Sequence, residues 1–92
     1  PPITRDISFI VPSIFVPNNY FDLIRDLGGN LVEEVKLLDK YVNVAKFGAE
    51  KISYTYRIIY RHLDRTLTNE EINILDKKIH ARTASDFSAV LR

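Results

Sequence analysis

Asp6, Ser8, Lys36, Lys40, Ser53, Thr55, Arg57, Arg61 and Arg92 are the residues whose types and spacing could do chemistry together. Asp6 and Ser8 alternate with Ile7 and Phe9, while Ser53, Thr55 and Arg57 alternate with Tyr54, Tyr56 and Ile58. In an extended chain each set therefore falls on one face. The nine residues include five cations and one carboxylate, although the whole chain carries only +1, from 13 Lys+Arg against 12 Asp+Glu. Ile10, Leu38, Ile59 and Val90 share that face by parity. Cations grip phosphates, hydroxyls and carboxylates bond to base edges, and apolar side chains support splayed bases. An ordinary solvated sheet face has a similar composition, because Lys and Arg discourage edge-to-edge aggregation.

Catalytic arrangements are scarce. The chain has no cysteine, which excludes disulfides, thiolate metal sites and a thiol nucleophile. His62 and His80 stand far apart without metal-ligand spacing. Glu33-Glu34 suits a solvated strand edge, and Glu70-Glu71 suits a helix N-terminus. Glycine-rich phosphate loops are absent, and Ser8 and Ser53 have no histidine nearby in sequence. The five tyrosines and five phenylalanines read as core. A binding module is expected rather than an enzyme.

The elements that must position these residues follow from local pattern. Arg5 to Val11 alternates as a half-buried strand ended by Pro12. Pro17-Asn18-Asn19 offers an N-cap for a helix through Leu27, stopped by Gly28-Gly29. Leu31 to Val42 reads as a second strand, with Leu31, Val35 and Leu37 opposite Lys36 and Lys40. The Leu37-Leu38 doublet breaks the alternation and suggests a bulge. Residues 43–51 read as a polar hairpin connection, and Ile52 to Arg61 as a third strand whose tyrosines point into the core. That orientation disfavours an RNA-recognition motif, which exposes aromatics on its open sheet face. Thr68-Asn69-Glu70-Glu71 is a capping box before Ile72, Leu75 and Ile79, and Ala89 to Arg92 closes with a short strand.

The order β-α-β-β-α-β predicts an α+β, ferredoxin-like βαββαβ sandwich. Its four-stranded antiparallel sheet has strand order 4-1-3-2, with two helices on one face. Residues 1–92 make one domain, which at this size buries roughly 60–65% of its unfolded surface. Pro1-Pro2-Ile3 carries neither an initiator Met nor a signal-peptide profile, so a domain cut from the C-terminus of a longer chain is expected. No apolar run approaches the roughly 20 residues needed to cross a bilayer.

Five segments in order carry a resemblance: Arg5-Asp6-Ile7-Ser8-Phe9, Gly28-Gly29-Asn30-Leu31-Val32-Glu33, Val35-Lys36-Leu37-Leu38-Asp39-Lys40-Tyr41, Ser53-Tyr54-Thr55-Tyr56-Arg57 and Arg65-Thr66-Leu67-Thr68-Asn69-Glu70-Glu71. Together they resemble the ferredoxin-fold anticodon-binding domain of phenylalanyl-tRNA synthetases, in the bacterial β chain or the single-chain organellar enzyme. The resemblance implies a partner, the anticodon stem-loop of tRNA-Phe, alongside the other domains or subunit of the synthetase, with neither membrane nor DNA expected. It implies no cofactor here, with ATP and Mg2+ confined to a separate catalytic domain. Location would be cytoplasmic for a bacterial enzyme and organellar for the single-chain form. By motif position Asp6, Ser8, Asp39, Ser53 and Arg57 match places that meet the anticodon. Lys36, Leu38, Lys40, Thr55 and Arg92 join them as candidate RNA contacts from the open face. Simple alternation puts Asp39 on the core side unless the leucine doublet is bulged. The alternatives are a regulatory, ACT-type small-molecule or partner-binding domain and an acylphosphatase-like enzyme. Both call for features that the glycine-free, arginine-free loop Pro12 to Pro17 lacks.

Overall fold

A computed structural model describes residues 1–92. The chain runs β1 (Ile3–Pro12), α1 (Pro17–Gly28), a 3-10 turn (Gly29–Leu31), β2 (Val32–Tyr41), α2 (Val44–Phe47), β3 (Lys51–Tyr60), α3 (Asn69–Phe87) and β4 (Val90–Leu91). The strands form one antiparallel sheet in the order β2-β3-β1-β4, which is the predicted ferredoxin-like arrangement. No helix is long and apolar enough to cross a membrane.

The inward residues of β1 and β3 build the core. Ile7, Phe9 and Val11 meet Tyr54, Tyr56, Ile58 and Tyr60, under Tyr20, Leu23 and Ile24 of α1 and Ile72 and Ile79 of α3. The tyrosines at 54, 56 and 60 are buried, as their alternation with Arg57 requires. Phe9 is the centre of an aromatic cluster, with Tyr20 at 4.9 Å, Phe15 at 5.7 Å and Tyr56 stacked at 5.9 Å between ring centroids. The Thr83 hydroxyl donates to the Ile79 carbonyl at 2.6 Å, so its oxygen is left to accept from the Tyr20 hydroxyl at 3.0 Å. Burial pushes the Tyr56 phenol up to about 12 and raises those of Tyr20 and Tyr60 as well.

Four local expectations need correcting. α1 is capped by the backbone of Val16, with Pro17 opening its first turn, and neither Asn18 nor Asn19 caps it. Proline fits there because its fixed φ suits the helix and its missing N–H would have no partner in the first turn. The connection after β2 is not purely a turn. Asn43 accepts from the Lys46 amide at 3.1 Å and caps the one-turn α2, which is too short to show a helical period. Leu37 lies opposite Tyr56, on the helix side as expected, yet it is 46% exposed because β2 is an edge strand beyond the cover of the helices. β4 is only two residues long.

The capping box of α3 forms as predicted. Thr68 Oγ1 accepts from the Glu71 amide at 3.2 Å, and Glu71 Oε2 accepts from the Thr68 amide at 3.0 Å. A cap of this kind contributes about 1 kcal/mol. Arg65 donates to the same carboxylate at 2.9 Å. That bond, with the Thr68 amide, brings the Glu71 carboxyl down to about 2. A lowered folded-state value means the stabilisation is whole above the ordinary value of 4.5 and drains away as pH falls towards about 2. Thermal midpoints followed across that window should fall less steeply in Glu71→Gln than in the wild type. Asp6 and Asp86, also lowered by their arginine partners, keep part of the slope in both proteins. Identical acid limbs would remove Glu71 from the account.

Candidate nucleic-acid interface

The face of the sheet away from the helices is assembled by strand register. β1 and β3 pair with Asp6 opposite Arg57, Ser8 opposite Thr55 and Ile10 opposite Ser53. β2 adds Lys36 opposite Arg57, Asp39 opposite Thr55 and Tyr41 opposite Ser53. From the other edge, Val90 lies opposite Ile10, and the Arg92 amide donates to the Ser8 carbonyl at 2.9 Å. Three rows therefore cross the open face: Lys36–Arg57–Asp6, then Asp39–Thr55–Ser8–Arg92, then Tyr41–Ser53–Ile10–Val90.

A break in register between Leu37 and Asp39 decides the membership of those rows. Two residues of β2 oppose one of β3, which shifts the two-residue phase by one. Leu38 is the extra residue, without a partner on β3 and 44% exposed, so it does not belong to the open-face rows as alternation implied. Asp39 turns to the open face beside Thr55. Lys40 turns the other way, opposite Tyr54, with its Nζ 6.0 Å from that ring's centroid. Simple alternation puts Lys40 on the open face, and the bulge is the reason it is not there. Tyr41 arrives on the open face 40% exposed, and alternation carried no sign of it.

The side chains engage one another. Arg57 donates from Nε and Nη2 to the two oxygens of Asp6, at 2.8 and 3.0 Å. The guanidinium holds the Asp6 carboxyl below its ordinary range. Both side chains are more than two-fifths exposed, and an exposed pair is worth about 0–1 kcal/mol, so a ligand can compete for either partner. Ser8 and Thr55 hydroxyls bond at 2.8 Å. Lys36 Nζ lies 3.8 Å from Glu34, and Arg61 donates to Glu33 at 3.0 Å. Asp39 has no ion-pair partner.

Ser53 departs furthest from expectation. It stands on the open face but is only 2% exposed, because Arg92 reaches from the β4 edge and donates from Nη1 to Ser53 Oγ at 2.6 Å. The same guanidinium sits 5.6 Å from the Phe47 centroid, and Phe47 meets Tyr41 edge-on at 5.7 Å. Asn43 Nδ2 donates to the Tyr41 hydroxyl at 2.8 Å. One end of the face thus holds a half-exposed phenol ring, fixed by an asparagine, beside a serine under an arginine. His62 and His80 stay apart from this face. His62 Nδ1 accepts from the Asp64 amide at 3.0 Å, and His80 Nε2 lies 3.5 Å from Asp76 within α3.

Comparison with known proteins agrees with this geometry. The family model for the ferredoxin-fold anticodon binding domain matches residues 1–92. The chloroplastic/mitochondrial phenylalanine–tRNA ligase of Arabidopsis thaliana is 39% identical over the whole chain, which spans 21% of that enzyme. A probable mitochondrial phenylalanine–tRNA ligase of Drosophila melanogaster is 38% identical, again over the whole chain and 21% of the relative. The phenylalanine–tRNA ligase β subunit of Prochlorococcus marinus is 36% identical over the whole chain and 11% of the subunit. The chain therefore spans about a fifth or less of these relatives. Strand order, open face and the match along its full length agree: this chain belongs to the ferredoxin-fold anticodon binding domain family.

Proposed function

We propose that this chain is the non-catalytic anticodon-binding domain of a phenylalanine–tRNA ligase, and that its open sheet face reads the anticodon stem-loop of tRNA-Phe. The carrying observation is the register after the β2 bulge, which sets Asp39 and Tyr41 on one face with Ser8, Ser53, Thr55 and Arg57. An exposed aromatic ring stacks an unpaired base. A carboxylate without an ion-pair partner accepts from base amino or imino groups, and hydroxyls bond to either kind of edge. Arg92 leaves Ser53 when a base enters, and its guanidinium is then free for phosphate or for stacking. ATP and Mg2+ serve a catalytic domain elsewhere in the ligase. The compartment is that of the parent enzyme, a bacterial cytoplasm or an organelle matrix.

Asp39 gives the sharpest test because its two effects have opposite signs. Binding of Asp39→Asn to the tRNA-Phe stem-loop with its GAA anticodon should weaken, by about 5- to 150-fold if one base contact worth about 1–3 kcal/mol is lost. Binding to the same stem with a scrambled loop should hold or strengthen, because a negative charge has left a phosphate-binding surface. Equal effects on both RNAs would remove base reading from this face, and a wild type that does not prefer the GAA loop would remove the function itself.

A further inference from the structure

Cations on this domain divide into two populations. Lys36, Arg57, Arg61, Arg65 and Arg82 all have acidic partners within 4.0 Å. Of the eight Lys and Arg outside these ion pairs, Lys46, Lys51 and Arg92 lie at the same end of the open face. Lys51 begins β3 two residues before Ser53, so it shares that residue's face, opposite Pro12 of β1. Lys46 lies in α2, with Nζ 5.7 Å from the Phe47 centroid. Since Phe47 touches both Tyr41 and Arg92, α2 folds towards the open face at its hairpin end.

The turn that carries Lys46 is held in place. Asn43 accepts from the Lys46 amide with Oδ1 and donates to the Tyr41 hydroxyl with Nδ2. One side chain therefore ties the helical turn to the aromatic ring. An ordinary solvated lysine needs no such tether, whereas a phosphate grip beside a stacking ring needs its spacing set in advance. The nearby acids do not cancel the charge: the Asp39 and Glu50 carboxylates pair with neither lysine.

We propose that Lys46 and Lys51 form a phosphate grip on the hairpin side of Tyr41. There they hold the backbone of the RNA strand whose base stacks on that ring, and Asn43 is the positioning residue. The grip rests on the anticodon reading of the open face and extends it to the β2–β3 connection. Single-stranded RNA releases about 0.7 counterion per phosphate neutralised. Each lysine that contacts one phosphate therefore adds about 0.7 to the salt slope and about tenfold to affinity at 50 mM salt.

The experiment measures binding of the tRNA-Phe anticodon stem-loop and of a scrambled-loop stem at several salt concentrations. Lys46→Ala and Lys51→Ala should each flatten the slope by about 0.7, and the double variant by about 1.4, on both RNAs alike. Lys77→Ala/Lys78→Ala, on exposed positions of α3, is the control for total charge and should leave the slope near the wild-type value. Asn43→Ala should flatten the slope on both RNAs by up to about 0.7, because it loosens the turn that carries Lys46. An unchanged slope would remove Asn43 as the positioning residue. If the double variant keeps the wild-type slope while wild type prefers the GAA loop, the grip is refuted and the anticodon reading stands. Equal flattening in the α3 control would reduce the effect to net charge and also refute the grip. A wild type without loop preference overturns both.

Discussion

Tyr41→Ala should weaken binding of the tRNA-Phe anticodon stem-loop by about 5- to 150-fold, the loss of one base–aromatic stack worth about 1–3 kcal/mol. Thermal stability should hardly change, since Tyr41 is 40% exposed and lies on an edge strand outside the core. Tyr41→Phe separates the ring from its tether. It keeps the stacking surface and loses only the bond from Asn43, so most of the affinity should remain. Affinities measured by titration, with melting curves as the folding control, decide the matter. If Tyr41→Ala binds as wild type does, the ring is surface decoration and the stacking assignment fails.

The largest stability effect belongs to Phe9→Ala. Phe9 has no exposed surface and lies within 6.2 Å, centroid to centroid, of Phe15, Tyr20, Tyr54 and Tyr56. Truncation removes buried area and leaves a cavity that a sheet strand cannot close, at about 3–5 kcal/mol. A small domain has about 5–15 kcal/mol in total, so much of the cooperative transition would go. Denaturant midpoints for Phe9→Ala and Phe9→Leu should fall in that order below wild type. A loss under about 1 kcal/mol in Phe9→Ala would show that the aromatic cluster is not the centre of the core.

What could be read in advance follows the physics of each segment. β3 alternates without interruption, so its inward tyrosines and outward Ser53, Thr55 and Arg57 are legible from period two alone. The α3 capping box is equally legible, because Thr68 and Glu71 satisfy each other within four residues. β2 is harder to read. Its leucine doublet announces a bulge, but only the register shows that Asp39 and Tyr41 turn outward while Lys40 turns in. α2 is shorter than any helical period can reveal. The Arg92–Ser53 bond joins residues 39 apart in sequence, and no local pattern encodes it. Asp6 and Arg57 each stand among the candidates for RNA contact by their place in the motifs. Their mutual bond is cross-strand chemistry that appears only once the two strands are paired.

The extra residue in β2 has a consequence for how such a surface can change over time. Smoothing the bulge out while keeping Leu38 would alter no residue of the binding rows, yet it would rotate everything downstream in the strand by half a period. Asp39 and Tyr41 would face the helices, and Lys40 would face the bases. Ordinary substitutions adjust this surface one side chain at a time, whereas drawing Leu38 into the ladder exchanges its acidic, aromatic character for a basic one. The bulge itself therefore matters more to this face than the identity of either leucine. Replacing Leu37 or Leu38 by other apolar residues leaves the rows intact, while pairing Leu38 with β3 dismantles them.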